Sequence, residues 1–578
     1  MDWTRFVPIV DRLRHYHTDT FRSDLVAGLT VCVMLIPQGM AYALLAGMPP
    51  IYGLYGGLVP LLIYGIFGTS PQLSIGPVAV SALLVLAGIS QLAEPESEQY
   101  ITLVILTGLF IGITQLLLSG LRLGFLVTFL SHPVIIGFTS AAAIIIAVSQ
   151  LKYLFGFSIP RFEQTYETAL YAFHHLDQIH WLSFAFCTGS ILLMVILKKW
   201  APVLPGALII TVLGILLTSW LHLDQRGLSI VGTVPQGLPE FGLPAWSWSN
   251  IQAILPTVGT VTVIGIVESI GIAKALELKN KDTKVLPNQE LFALGISKAI
   301  GSFFQAIPSS ASFTRSAVNN ESGAKTGLSS VIAAAATGLV LLFFTPLFYY
   351  LPKAVLAAIV LMAVRSLFEL QGAKELWVTH RKDFFMMLIT FLMTLLLGIE
   401  EGVLTGVILS LLLVIYQASR PHFAVLGRLP GTNYFRNVKR FPEAQQFDGI
   451  LIFRFDAPLF FLNTESFKNA ILRAVESASP NCKLVILDAS SVLDIDSGGL
   501  HAIEEIDEYL DEQGITFYVA GLLGPVRDAF QRAGLFEQLG QQKHFLYVSD
   551  AIDYYKTSDQ EQDAHWTKRA IQHNLKTK

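Results

Sequence analysis

The chain has 578 residues, 53% of them hydrophobic and only 14% charged, where soluble domains carry about a quarter charged residues. Its mean hydropathy is +0.55, so most of it belongs in lipid, and its length calls for at least two domains. A formal net charge of −4 with no basic block argues against a nucleic-acid partner. The three cysteines, Cys32, Cys187 and Cys482, are scattered without metal or redox spacing and read as packing residues.

Residues 1–23 mix charges and lack an apolar core, which predicts a cytoplasmic segment rather than a cleavable signal. Apolar runs of roughly twenty residues then follow one another. The first repeat, residues 24–222, holds runs at 25–47 (broken at Pro37), 51–68, a short one at 74–89, 100–121, 124–148 (interrupted by Pro133), 181–197 and 204–221. A wetter stretch at 151–180 separates the fifth run from the sixth. The second repeat, residues 251–419, holds runs at 251–276, 291–306, a short polar one at 307–322, then 331–348, 351–368, 384–399 and 402–419. About fourteen spans in two groups of seven are predicted, with a short, Gly/Pro-interrupted segment third in each group, and that pairing points to a transporter's substrate site. Seven is odd, so the second group is inverted relative to the first.

Charge sets the orientation. With both termini cytoplasmic, Arg122, Lys198, Lys199, the lysines of 274–284, the basic residues of 365–382 and everything after Arg420 lie inside, while LAEPESEQ and Glu400–Glu401 lie outside. Lys152, Arg161 and Lys353 dissent. A multi-pass protein of the inner or plasma membrane is predicted. Residues 420–445 read as a polar linker and 446–556 as a soluble α/β domain, with a tail at 557–578. Within that domain GILIFRFDAPLFFL reads as two short strands, Thr464 as a helix N-cap, and KLVILDAS and TFYVAGL as strands alternating with helices.

The chemistry concentrates in IPSSASFTRSAVNNES at 307–322. Irregular polar backbone at membrane depth is tolerated only where it lines a cavity or is buried in protein. A helix starting near Ser312 aims unpaired N–H groups at such a cavity and sets Arg315 on its first turn, which makes an anion site of Ser310, Ala311, Ser312, Thr314 and Arg315, with the backbone amides of 311–314 as the direct contacts. A structural alternative pairs Arg315 with a carboxylate. In the other repeat Ser74, Gly76 and Pro77 precede a helix starting near Val78, so two half-helix N-termini face each other, an arrangement that suits a small anion. Gln38 and Tyr42 lie one turn apart on the first span and are binding residues or the neighbours of a Pro kink. Glu268 is the acid deep in a span, and three roles are open to it: pairing with Arg315, holding a cation such as Na⁺, or carrying a symported proton. Lys298 reads as a snorkelling structural residue and His132 as a packing or hydrogen-bonding one. Ser497 caps a helix or accepts a phosphate there. No GxxxxGK, HExxH or Cys/His metal pattern occurs, so no enzyme, cofactor or metal is expected.

Four stretches carry a resemblance: IPQGMAYALLAGMPPIYGLY (36–55), SIGPVAVSALL (74–84), VESIGIAKAL (267–276) and SSASFTRSAVNNESGAKTGLSS (309–330). In this order, before a C-terminal module that looks like a STAS domain, they resemble the sulfate permease (SulP) transporters, whose animal members are solute-carrier family 26 anion exchangers. The resemblance covers nearly the whole chain. It implies seven plus seven inverted repeats split into core and gate domains, an elevator mechanism and a homodimer. It places the anion between Gln38, Tyr42, Val78 and Ser312 to Arg315, and links Glu268 to proton or sodium coupling. Two departures stand out. Ile75 occupies the place where sodium–bicarbonate members present a hydroxyl, and Gly498 the place of the phosphorylated serine of bacterial anti-sigma antagonists.

The function expected is proton-coupled uptake of sulfate or a similar small oxyanion. Rivals are sodium-coupled bicarbonate or C4-dicarboxylate transport, an anion exchanger or channel, and a membrane-tethered signalling protein whose soluble domain binds a cytoplasmic regulator.

Overall fold

In a computed structural model the described residues are 7–558 without 15, 125–130, 161, 163, 202, 203, 281, 282, 479–481 and 541. Arg161, most of the tail and the start of the fifth apolar run therefore lie outside the described residues. Two compact units are present, Met1–Ser410 and Leu411–Lys578.

Each of the fourteen predicted segments coincides with a helix. In chain order these are α1 (Thr18–Leu45), α2 (Pro50–Phe67), α3 (Ala79–Ile89), α4 (Glu98–Gly120), α5 (His132–Ser149), α6 (Trp181–Trp200), α7 (Gly206–Leu221), α8 (Trp248–Lys279), α9 (Pro287–Phe303), α10 (Phe313–Glu321), α11 (Leu328–Phe343), α12 (Lys353–Val364), α13 (Arg381–Leu396) and α14 (Ile399–Ser419). Among the described residues seven helices are long and apolar enough to cross a membrane by length and composition, and four more are short and apolar. The third helix of each group is indeed short, 11 residues in α3 and 9 in α10. Each is preceded by a two-residue strand, β1 (Ile75–Gly76) before α3 and β2 (Ser310–Ala311) before α10.

With lipid as apolar as the side chains, helices associate by close approach and polar contacts rather than by hydrophobic exclusion. The α1–α2 contact shows the first. A Cβ on Gly39 would stand 3.0 Å from the Gly53 carbonyl oxygen, and one on Gly53 would overlap the Gly39 carbonyl oxygen. Asp24 shows the second. Fully buried, it accepts from the backbone N–H groups of Lys325 (2.8 Å) and Thr326 (3.1 Å), the Thr326 hydroxyl (2.5 Å) and the Tyr16 hydroxyl (3.0 Å), and so tethers the start of α11. Buried Glu290 acts likewise on the loop before β1, accepting from Tyr64 (2.8 Å), from the Thr69 hydroxyl and from the amides of Thr69 (2.7 Å) and Ser70 (3.2 Å).

Three expectations are corrected here. Pro37 does not break the first span, because α1 runs through it, as a Pro inside a packed membrane helix is tolerated when neighbours satisfy the freed carbonyl. Pro133 lies in the first turn of α5, where its missing N–H is no loss, so His132 is an exposed helix-start residue rather than one inside a span. Lys298 does not snorkel. It is buried, and its Nζ donates to Gln115 Oε1 of α4 at 3.1 Å.

The second unit carries a six-stranded sheet of order β4-β3-β5-β6-β7-β8, with β3 (Phe423–Arg428), β4 (Phe435–Asn437), β5 (Ile450–Phe455), β6 (Leu484–Asp488), β7 (Thr516–Ala520) and β8 (His544–Phe545). β5 through β8 are parallel, while β3 pairs antiparallel with both β4 and β5. Helices α15 (Thr464–Ala478), α16 (Ser497–Glu512), α17 (Gly524–Ala533) and α18 (Leu535–Leu539) pack on one side through Phe453, Phe455, Phe467 and Phe530, and α19 (Val548–Ser558) on the other through Ala551 and Ile552. The stretch 420–445 read as a linker contributes two of these strands. GILIFRFDAPLFFL supplies one strand, not two, since the chain turns at 461–463. Thr464 is the first residue of α15 rather than its cap. The cap of α16 is Asp496, whose side chain accepts from the Gly499 amide at 2.8 Å, leaving Ser497 as the first helical residue.

Candidate functional site

The two short strands pair antiparallel, Ile75 with Ala311 and Gly76 with Ser310, and the Ser312 amide donates to the Ser74 carbonyl at 3.0 Å. This ladder joins the repeats and sets the starts of α3 and α10 side by side, with Val78 and Ser312 as their N-cap residues. The Ser312 hydroxyl accepts from the Arg315 amide at 3.4 Å and contacts the Thr314 hydroxyl at 3.2 Å. Val78 offers no side-chain cap, so the first amides of α3 are left to whatever occupies the space before them.

Three serines that sequence reasoning passed over fix this arrangement. Ser269, next to Glu268 on α8, accepts from the Ala311 amide at 3.1 Å. Ser81 on α3 donates to the Ser310 hydroxyl at 3.1 Å, and Ser316 on α10 accepts from the Ser74 amide at 2.9 Å. Their signal was faint: single hydroxyls one or three residues from positions already singled out. These bonds correct one expectation. The amides of Ala311 and Ser312 are engaged by Ser269 and Ser74, so of the four amides at 311–314 only those of Phe313 and Thr314 donate to nothing else among the described residues. Phe313 itself is 61% exposed at the helix start, an aromatic side chain turned to open space beside these free donors.

Arg315 is fully buried. Its Nη1 donates to Gln38 Oε1 (3.2 Å) on α1 and to the Pro77 carbonyl (3.0 Å), while Nε and Nη2 have no partner. Gly76 makes room for it, since a Cβ there would lie 3.1 Å from Arg315 Nη2. No carboxylate pairs with Arg315 among the described residues. The structural alternative for it is therefore not what the molecule shows. Glu268 Oε2 is buried and also without a partner among the described residues, on the same turn of α8 as Ser269, which holds the Ala311 amide. Tyr42 is buried and shares the face of α1 that carries Gln38. All the predicted site residues thus gather around the β1–β2 crossing, and no group of three His, Cys, Asp or Glu suited to a metal occurs among the described residues.

A buried guanidinium with free donors, two helix starts and two unengaged amides form a positive, hydrogen-bond-donating locus. Known proteins share the chain that builds it. The pattern of the Sulfate permease family matches residues 21–390, and that of the STAS domain residues 441–551. "Sulfate transporter 4.1, chloroplastic" of Arabidopsis thaliana is 41% identical over 98% of this chain and 85% of its own length. A probable sulfate transporter of Mycobacterium tuberculosis is 32% identical, covering 95% of this chain and 98% of its own. The structure of the murine Solute Carrier 26 family member A9 anion transporter superposes with a TM-score of 0.89 at 26% identity, over 96% of this chain and 94% of its own. These matches name transporters, not enzymes. The chain is an integral, multi-pass membrane protein that belongs to the sulfate permease family of anion transporters and carries a C-terminal STAS domain.

Proposed function

We propose that the chain takes up sulfate, or a similar small oxyanion, together with protons. The observation that carries the anion is Arg315: a fully buried guanidinium with two nitrogens free and, among the described residues, no carboxylate within ion-pair distance. Leaving such a charge unpaired is costly, and a bound anion relieves it. The names of the relatives supply sulfate as the species. The amides of Phe313 and Thr314, the start of α3, and Tyr42 complete the contacts, while Gln38 holds Arg315 toward them.

Glu268 is the proposed proton carrier. An unpartnered carboxylate at membrane depth is costly to keep ionised, so a proton can travel with the anion and cancel one of its charges. Alternating access of the elevator kind would carry the anion, held by the starts of α3 and α10 and by Arg315, within a core domain past a gate domain, both termini staying cytoplasmic.

Labelled sulfate uptake into proteoliposomes tests both parts. Arg315→Ala should weaken saturable uptake about a hundredfold, roughly 3 kcal/mol; full uptake in this variant overturns the site. Glu268→Gln should keep sulfate counterflow and lose accumulation driven by an inward proton gradient. Accumulation that stays gradient-driven removes Glu268 from coupling, and linear, non-saturating flux in the wild type would mean a channel.

A further inference from the structure

The soluble unit holds a cleft that shares no lining residue with the anion site. It is an open cleft of about 340 Å³ between the start of β3, strand β4 with the turn after it, and the end of β5. Its walls are the exposed His422, Arg436, Arg440 and Phe441 with Asn437, and Arg454 and Asp456 line the rest. Three guanidiniums against one carboxylate leave two positive charges before His422 is counted, in a chain whose net charge is −4.

The charges are not equally free. Asp456 is satisfied, accepting from Arg454 Nε (2.6 Å) and Nη2 (3.3 Å), with His422 Nδ1 at 2.8 Å. Arg454 is thereby neutralised. Arg436 and Arg440 have no carboxylate within ion-pair distance among the described residues, and the Arg436 guanidinium donates only to the Phe435 carbonyl at 3.3 Å. The amides of Arg440 and Phe441 both bond the Asn437 carbonyl at 3.0 Å. That turn brings Arg440 back beside Arg436. Two unpaired forks facing one cleft match a phosphate better than a lone carboxylate, and two positive charges balance a phosphomonoester of about −1.5 to −2. The volume, about ten waters at liquid density, exceeds what one tetrahedral ion fills, and Phe441 supplies an apolar wall for the rest.

We propose that this cleft binds a phosphate-bearing anion with two or more negative charges, gripped by Arg436 and Arg440. The source is either a free phosphate ester or a phosphorylated lipid headgroup. Arginine-selective modification of the full-length protein, followed residue by residue by mass spectrometry, tests it in two arms: inorganic pyrophosphate with the detergent-solubilised protein, and proteoliposomes with and without phosphatidylinositol bisphosphate. One arm should slow the modification of Arg436 and Arg440 about tenfold while exposed Arg532 reacts as before, and the arm that does so identifies the source. Arg436→Gln with Arg440→Gln should abolish saturable pyrophosphate or lipid binding and leave sulfate uptake at the wild-type rate. The proposal is overturned if neither probe protects the pair, if Arg532 is protected equally, or if sulfate protects as well as pyrophosphate at equal concentration.

Discussion

At the level of single residues, Gly76 and Gln38 decide where the Arg315 guanidinium sits. A methyl at Gly76 would press on Leu35 at 3.0 Å and on Arg315 Nη2 at 3.1 Å. Gly76→Ala should therefore displace the guanidinium and raise the half-saturating anion concentration about tenfold, at a cost of about 1.4 kcal/mol; an unchanged value in uptake assays would show that the arginine can yield. Arg315 and Glu268 were legible in the sequence because a charge inside an apolar run must be accounted for. Their surroundings were not. Gln38 and Pro77 reach Arg315 across the sequence, and Lys298 looked like a snorkelling residue because nothing local announces Gln115 as its partner.

At the level of elements, apolar run length located thirteen of the fourteen helices, because a lipid-facing backbone must bond within its own segment, and the polar break between two such runs located α10. The same rule does not say where a helix stops. Pro37 and Pro133 were read as interruptions, yet one is carried within α1 and the other opens α5. In the soluble domain β3 and β4 escaped notice because six- and three-residue strands among polar residues leave little alternation to read. The helix starts depend on distant caps. Asp24→Ala would strip the acceptor from the amides of Lys325 and Thr326 and leave that of Thr326 buried without a partner. That should lower stability by about 1–3 kcal/mol, read as a reduced melting temperature of the purified protein. A change below the resolution of the melting curve would show that α11 holds its start without Asp24.

For the molecule as a whole, acidity should act on the soluble unit in a predictable sense. Burial alone raises the Asp456 carboxyl, but hydrogen bonds from Arg454 and His422 and the Arg454 charge outweigh it and hold the group below its ordinary 3.8. A carboxyl depressed by folding stabilises the fold above its unfolded pKa, and that contribution fades as pH falls through the depressed value. Asp456→Asn should therefore destabilise the domain by about 1–2 kcal/mol at pH 7, with the difference from wild type shrinking only below about pH 4. Denaturation curves at about pH 7 and about pH 3 check this, and a constant difference would count against the ion pair.

The β1–β2 ladder has a consequence for how the protein is made. Ile75 and Ala311 meet directly, yet the ribosome delivers the second long after the first, with helices α3 to α9 in between. Until then the first repeat carries two residues of bare strand backbone with no mate, a state that hydrocarbon does not tolerate. The first half must wait in an aqueous or otherwise sheltered setting for the second. The anion-binding locus is then born late and all at once, absent from either half alone and complete only when synthesis has passed α10.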